Sequence, residues 1–254
     1  MLPLDSLTLV VVVVFFVATL LQSALGFGSA LIAVPLLAFV VPVQVAAPIA
    51  VLISITVAAV AVAQDWRHVH VSSAARLVLS TLVGIPFGLL TLRSLPEPIV
   101  KGVLGVLVIG FAVFALRSRQ AYELTDDRLA WLFGVGAGVL GGAYGMNGPP
   151  LVIYGALRRW SPEHFRATLQ GYFLPASVMG MIGYWAAGLW TPIVNRYYLL
   201  SLPTALLAIA LGRALNRRVD ARRFFVYVHA GLIASGAGLM LQAIVTWIAQ
   251  QPPG

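Results

Sequence analysis

The sequence of 254 residues is 60% hydrophobic and 9% charged, with a mean hydropathy of +0.95. A soluble domain is about 25% charged, so a water-soluble fold is excluded and a polytopic membrane protein with almost nothing outside the bilayer is predicted. The formal net charge of +8 does not point to nucleic acid, because the basic residues lie in short links between apolar runs, the ordinary mark of cytoplasmic loops. There are no cysteines, which removes disulfides, thiol chemistry and cysteine-ligated metal.

The first apolar run, Leu7 to Leu25, follows Asp5 instead of a basic segment and shows no small-residue cleavage site, so it is expected to be a retained helix. A spanning helix needs roughly 20 apolar residues. The runs fall at 4–25, a shorter 28–41, then 44–63, 73–92 and 97–116. A polar link from Arg117 to Asp127 follows, and a second series runs over 128–141, 145–157, 164–188, 194–213 and 222–249. Two stretches interrupt these runs with residues a membrane helix should avoid. They are Gly26-Phe27-Gly28-Ser29 and Gly142-Ala143-Tyr144-Gly145-Met146-Asn147-Gly148-Pro149-Pro150. Broken backbone at membrane depth survives only where it is buried in protein or lines a cavity.

The two series read as copies, each with a glycine break, a proline-containing segment and a proline turn (Pro42, Pro162) before its third run. The expected organisation is an N-terminal transmembrane repeat over 1–117, a cytoplasmic linker over 118–127 and a C-terminal transmembrane repeat over 128–254. If each break returns the chain to the side it came from, one side holds Arg67, Arg76, Arg117, Arg119, Arg128, Arg158, Arg159, Arg166, Arg213, Arg217, Arg218, Arg222 and Arg223. The other holds Arg93, Lys101 and Arg196, a split of 13 against 3; treating each broken run as one crossing gives 10 against 6. Basic bias sets orientation, so the first arrangement is preferred, with both termini outside. An odd number of crossings per half makes the second half an inverted copy of the first. The fold class expected is therefore all-α, with two inverted repeats of about five hydrophobic segments. Each repeat contains a broken or re-entrant helix. Whether the broken segments are short crossings or hairpins stays open.

No Asp or Glu falls inside any apolar run. Carboxylates at depth mark proton relays and cation paths, so a cation transporter is disfavoured. Neither a paired-acid site nor a metal cluster can be assembled there, so no enzyme and no cofactor is expected. The polar groups left at depth are small and neutral. Candidate substrate-binding residues are Gln22, Gly26, Phe27, Gly28 and Ser29 at the first break and Tyr144, Gly145, Met146, Asn147 and Gly148 at the second, with Gln170 and Tyr172 beyond. Each break is followed by a new helix, whose N-terminus offers free N–H groups and a favourable dipole to an anion. Two such termini meeting from opposite leaflets would hold a small oxyanion without a fixed countercharge.

Glycines also serve close helix packing, the reading given to isolated ones such as Gly84 and Gly105. Ser54, Thr56 and Thr168 could complete a cavity or only tie helices together. Arg166 is a candidate for gathering anions at an inner vestibule or a snorkelling arginine. His229, the sole ionisable side chain well inside an apolar run, is a packing histidine or a carrier of a coupling proton. His68 and His70 read as solvated loop residues.

The segment Gln22 to Leu37, with its Gly26-Phe27-Gly28 and Pro35, resembles the first motif of the TauE/SafE sulfite exporter family. Gly141 to Tyr154, followed by Trp160-Ser161-Pro162-Glu163-His164-Phe165-Arg166-Ala167-Thr168, is similar to the second. The first motif continues with Ser29-Ala30 where many members have glycines. The resemblance implies a bacterial inner-membrane permease exporting a small sulfur-containing anion such as sulfite, a sulfonate or a related organic acid. Its partners would be that anion and the lipid bilayer, with no nucleic acid; a coupling proton stays open. A homo-oligomer stays open, since no run shows a clear partner face. The alternatives are a passive anion channel and a membrane scaffold without transport.

Overall fold

The computed structural model describes residues 5–25, 27–65, 71–117, 124, 128–216 and 221–250. The side chains of 24–25, 64–65, 71–74, 162–164, 166–167, 170, 213, 215–216 and 221–227 lie outside that description, as does Gly26. The described residues form α1 (Ser6–Leu25), α2 (Ser29–Leu37), α3 (Val43–Asp65), α4 (Val71–Ser94), α5 (Glu97–Arg117), α6 (Ala130–Tyr144), α7 (Gly148–Leu157), α8 (Pro162–Ala186), α9 (Pro192–Asn216) and α10 (Ala221–Ala249). The chain is an all-helical polytopic membrane protein. Among the described residues, six helices are long and apolar enough to cross a bilayer, and α6 and α7 are shorter apolar helices. Leu132, Trp185, Leu241 and Ile248 are among many large apolar side chains turned outward, as expected where lipid replaces water.

The apolar runs foretell these helices closely, with two differences. Helix α2 stops at Leu37, and residues 38–40 turn. Helix α6 does not stop at the Gly141-Gly142 pair but continues to Tyr144. Those glycines are helical because they make room for neighbours: a β-carbon on Gly142 would enter the Ile85 carbonyl of α4, and one on Gly141 would enter the Asn147 side chain.

Small residues determine how the helices pack. Gly84 faces Gly138, Gly88 faces Gly142 and Leu77 faces Gly134, so α4 and α6 run parallel with their backbones almost touching. Thr81 Oγ1 donates to the Gly134 carbonyl across this seam at 3.0 Å. Close approach of glycine faces is how membrane helices gain van der Waals contact without a hydrophobic drive. Gly105 on Gly236 does the same for α5 and α10, which run antiparallel, since Gly102 lies by Ala243 and Phe111 by His229.

Direction can be followed further. Gln44 at the start of α3 donates to the Leu92 carbonyl near the end of α4, so these two helices are antiparallel. Thr81 meets Tyr172 and Leu89 meets Gly183, so α8 runs parallel to α4 and opposite to α3. Among the most extensive packings are α4 on α6, α1 on α9, α5 on α10 and α3 on α8. Exchanging each of α1 to α5 with the helix five places later maps that set onto itself.

The second break is a hairpin. Phe133 stacks on Tyr154, Gly136 lies by Pro150, and Leu124 N–H bonds the Leu157 carbonyl at 2.9 Å. Helix α7 thus returns to the side from which α6 set out. At 1.5 Å per residue, α6 is about 22 Å long and α7 about 15 Å, so neither covers a hydrocarbon core of about 30 Å.

Candidate functional site

Each break turns at a glycine. Gly28 has φ +106° and Gly145 φ +67°, both in the left-handed region that disfavours any side chain. Gly145 closes α6: its N–H reaches the Gly141 carbonyl at 2.9 Å and that of Met146 reaches Leu140 at 3.2 Å. A β-carbon on Gly145 would press on the Ala47 carbonyl and Val51 of α3, so the turn is also wedged against the core.

The two turns meet at one small cavity, about 30 Å³ in volume. From the first break come Phe27, Gly28 and Ser29, and from the second Gly145, Met146, Asn147 and Gly148. Gln22 of α1, Ser54 of α3 and Phe173 and Ser177 of α8 complete much of the wall. Among the described residues, none that lines it carries an ionisable side chain. The volume corresponds to roughly two water positions, so a larger solute enters only if the walls move apart.

The donors are unequally shared. Gly28 supplies no side-chain cap to α2, whose first intrahelical bond is Ile32 N–H to the Gly28 carbonyl at 3.2 Å. The N–H groups of Ser29, Ala30 and Leu31 precede that bond and have no carbonyl within the helix, and all three residues line the cavity. Helix α7 starts with Gly148, but Pro149 and Pro150 then remove two of its amide hydrogens. Two equivalent helix termini are therefore not what the breaks provide. The first gives backbone N–H groups, and the second chiefly the carboxamide of Asn147.

That carboxamide is held from behind. Asn147 is 7% exposed and lies against Gly141, which has no side chain to displace it. The hydroxyl of Tyr172 stands near it, 2.7 Å from Thr81 Oγ1. Because Thr81 gives its proton to Gly134, the phenol donates to Thr81. The carboxamide of Asn147 is a donor and an acceptor at the cavity wall. Gln22 is equally buried at 7% exposure, and its Oε1 has no hydrogen-bond partner.

Gln22, Phe27, Gly28, Ser29, Gly145, Met146, Asn147 and Gly148, all singled out in the sequence, thus come together. Tyr144 does not join them; its hydroxyl donates to the Val100 carbonyl of α5 at 3.1 Å. Tyr172 stands near Asn147 without lining the cavity. Gly26 and the side chains of Gln170 and Arg166 fall outside the described residues. His229 lies on α10 against Phe111, 6.1 Å between ring centres, and is not part of the lining. Of the companion polar residues, Ser54 lines the cavity. Thr56 instead bonds the Leu52 carbonyl and the Tyr198 hydroxyl, a helix-to-helix tie. Phe173, Ser177 and Tyr184, whose hydroxyl donates to the Gly141 carbonyl at 2.9 Å, escape the sequence reading. The signal for the first two was helical spacing: Gln170, Phe173 and Ser177 stand at i, i+3 and i+7, on one face.

The family model described as sulfite exporter TauE/SafE matches residues 11–239. A protein of Cupriavidus necator named a probable sulfite/organosulfonate exporter is 24% identical over 237 residues, covering 91% of this chain and 92% of its own. A protein of Methanocaldococcus jannaschii named a probable membrane transporter is 23% identical over 252 residues, covering 91% and 94%. No solved structure matches. With its two broken segments facing one cavity and the match running through nearly every helix, the chain belongs to the TauE/SafE sulfite exporter family of membrane transporters.

Proposed function

We propose that the protein exports a small anion, such as sulfite, a sulfonate or a related organic acid, by alternating access around the cavity between the breaks. The observation that carries this reading is the cavity's chemistry. The backbone N–H groups that open α2, which have no acceptor within that helix, and the Asn147 amide lie along a cavity whose described lining holds no carboxylate or ammonium. Such a site favours negative charge through N–H groups and the helix dipole, and holds it weakly enough to release it. The name of the Cupriavidus necator relative supports the substrate class.

Alternating access is read from the opposed directions of α3 and α8 and of α5 and α10, the arrangement that an inverted repeat would produce. Residues 1–117 and 128–254 would rock against one another, joined by the linker over 118–127. The protein would lie in a bacterial inner membrane with both termini outside and its arginine-rich face cytoplasmic. A cavity of about 30 Å³ favours a gated carrier over an open anion channel.

The test is flux of labelled sulfite, small sulfonates and carboxylates in proteoliposomes, with and without a pH gradient. A carrier gives saturable, counterflow-competent flux that falls at least tenfold in Asn147→Ala. Conductance far above carrier rates would give the same residues to a channel. No flux of any anion from folded protein would point to other solutes first, and then to a scaffold role.

A further inference from the structure

Beside the polar cavity lies a second chamber of about 360 Å³, bounded by α5 and the α6–α7 hairpin. Phe111 and Phe114 of α5, Leu140 of α6 and Ile153 of α7 line it, it opens outward beside the exposed Val106 and Gly110, and among the described residues none that lines it is charged. Leu31, Met146 and Pro149 line both spaces, so these three residues are the partition between them. Met146, unbranched and turning about three bonds, is the most adaptable part of that wall.

The two spaces are complementary in what they lack. The polar cavity has hydrogen-bond donors and almost no room. The chamber has room and no group that could stabilise a charge. An apolar cavity of about 150 Å³ is enough to take up benzene, so the chamber has space for an aryl ring or a short alkyl chain. An organic anion whose head occupies the donors of Ser29, Ala30, Leu31 and Asn147 would find space for its substituent past Met146.

We infer that the chamber is a tail subsite, and that the protein carries amphiphilic organic monoanions, alkane- or arenesulfonates or the matching carboxylates, with the head in the polar cavity and the tail among Phe111, Phe114 and Ile153. This assignment rests on the reading of the polar cavity as an anion site. It makes apolar substituents a source of affinity, where a site for sulfite alone would gain nothing from them.

The experiment is competition of methane-, propane-, hexane- and benzenesulfonate against labelled methanesulfonate flux in proteoliposomes. A buried methylene contributes about 0.8 kcal/mol, so apparent affinity rises about fourfold per methylene. A β-carbon on Gly110, which also lines the chamber, meets nothing within 4 Å. Gly110→Phe therefore fills the chamber from a position with open space, and Ile153→Phe fills it from the opposite wall. In either variant the ratio of hexane- to methanesulfonate affinity is expected to collapse toward one. A flat series in the unaltered protein, with methanesulfonate still carried, overturns the tail subsite and gives the chamber to a bilayer acyl chain. A rising series untouched by both fillings overturns it too, by sending the tail elsewhere. Absence of saturable flux for every anion, sulfite included, overturns the transport reading and this assignment together.

Discussion

Asn147 and Gly141 act as one device. The amide can lie where it does because residue 141 has no β-carbon. Asn147→Ala removes a donor at a cost near 1 kcal/mol in stability, so it should reduce flux with little change in melting temperature. Asn147→Asp is harsher. Two unit charges about 4 Å apart repel by ~4 kcal/mol at an effective dielectric of 20, so half-saturation should rise roughly a thousandfold. Gly141→Ala keeps the amide but displaces it, and should lose flux and stability together. Flux titrations beside thermal melts of the three variants separate these outcomes. A Gly141→Ala protein that transports normally would show that the amide's position does not matter.

At the scale of the helix, glycines of identical composition do three different jobs, and substitution distinguishes them. Gly28 stands at φ +106° with nothing near its missing β-carbon, so Gly28→Ala costs only backbone strain, about 1–2 kcal/mol. Gly138 is pressed onto the Thr81 carbonyl and the Gly84 backbone, so Gly138→Leu should prise α4 from α6 and leave little folded protein. Gly180, mid-helix in α8 with nothing within 4 Å, should accept alanine with a gain of about 0.4–1 kcal/mol. Melting curves of the three test the order. The same distinction explains what sequence could tell. The breaks were legible because Gly28 pairs with Gly26, and Gly145 and Asn147 come just before Pro149-Pro150, in otherwise apolar runs. That α6 continues through Gly141 and Gly142 was not, because only the approach of α4 and Asn147 reveals what those glycines accommodate. Tyr184 and Tyr144 were equally opaque: a tyrosine's hydroxyl partner is a carbonyl on another helix, and the letters of one strip of sequence do not say which. The inequality of the two helix termini, by contrast, was already spelled out by Pro149-Pro150.

For the molecule as a whole, the absence of native cysteine makes accessibility directly measurable. Ser54→Cys and Ser177→Cys place a thiol in the wall of the cavity from either half. With alternating access, an impermeant thiol reagent modifies each from one side at a time, and substrate shifts the balance between sides. Simultaneous reaction from both sides would mean a continuous pore. Single cysteines replacing Arg117 and Leu95 should label from opposite faces, the first from the cytoplasm.

A cavity walled by amides, hydroxyls, apolar groups and glycine, with no ionisable side chain, also decides what the membrane potential can act upon. On the proposed reading, a site whose described lining is uncharged adds no countercharge of its own, and a cycle without a coupled ion moves the net charge of the cargo. An interior-negative potential of 100 mV then favours outward movement of a monoanion by about 2.3 kcal/mol, and of a dianion by about twice that. On the proposed reading, that voltage alone would drive an anion outward through the carrier.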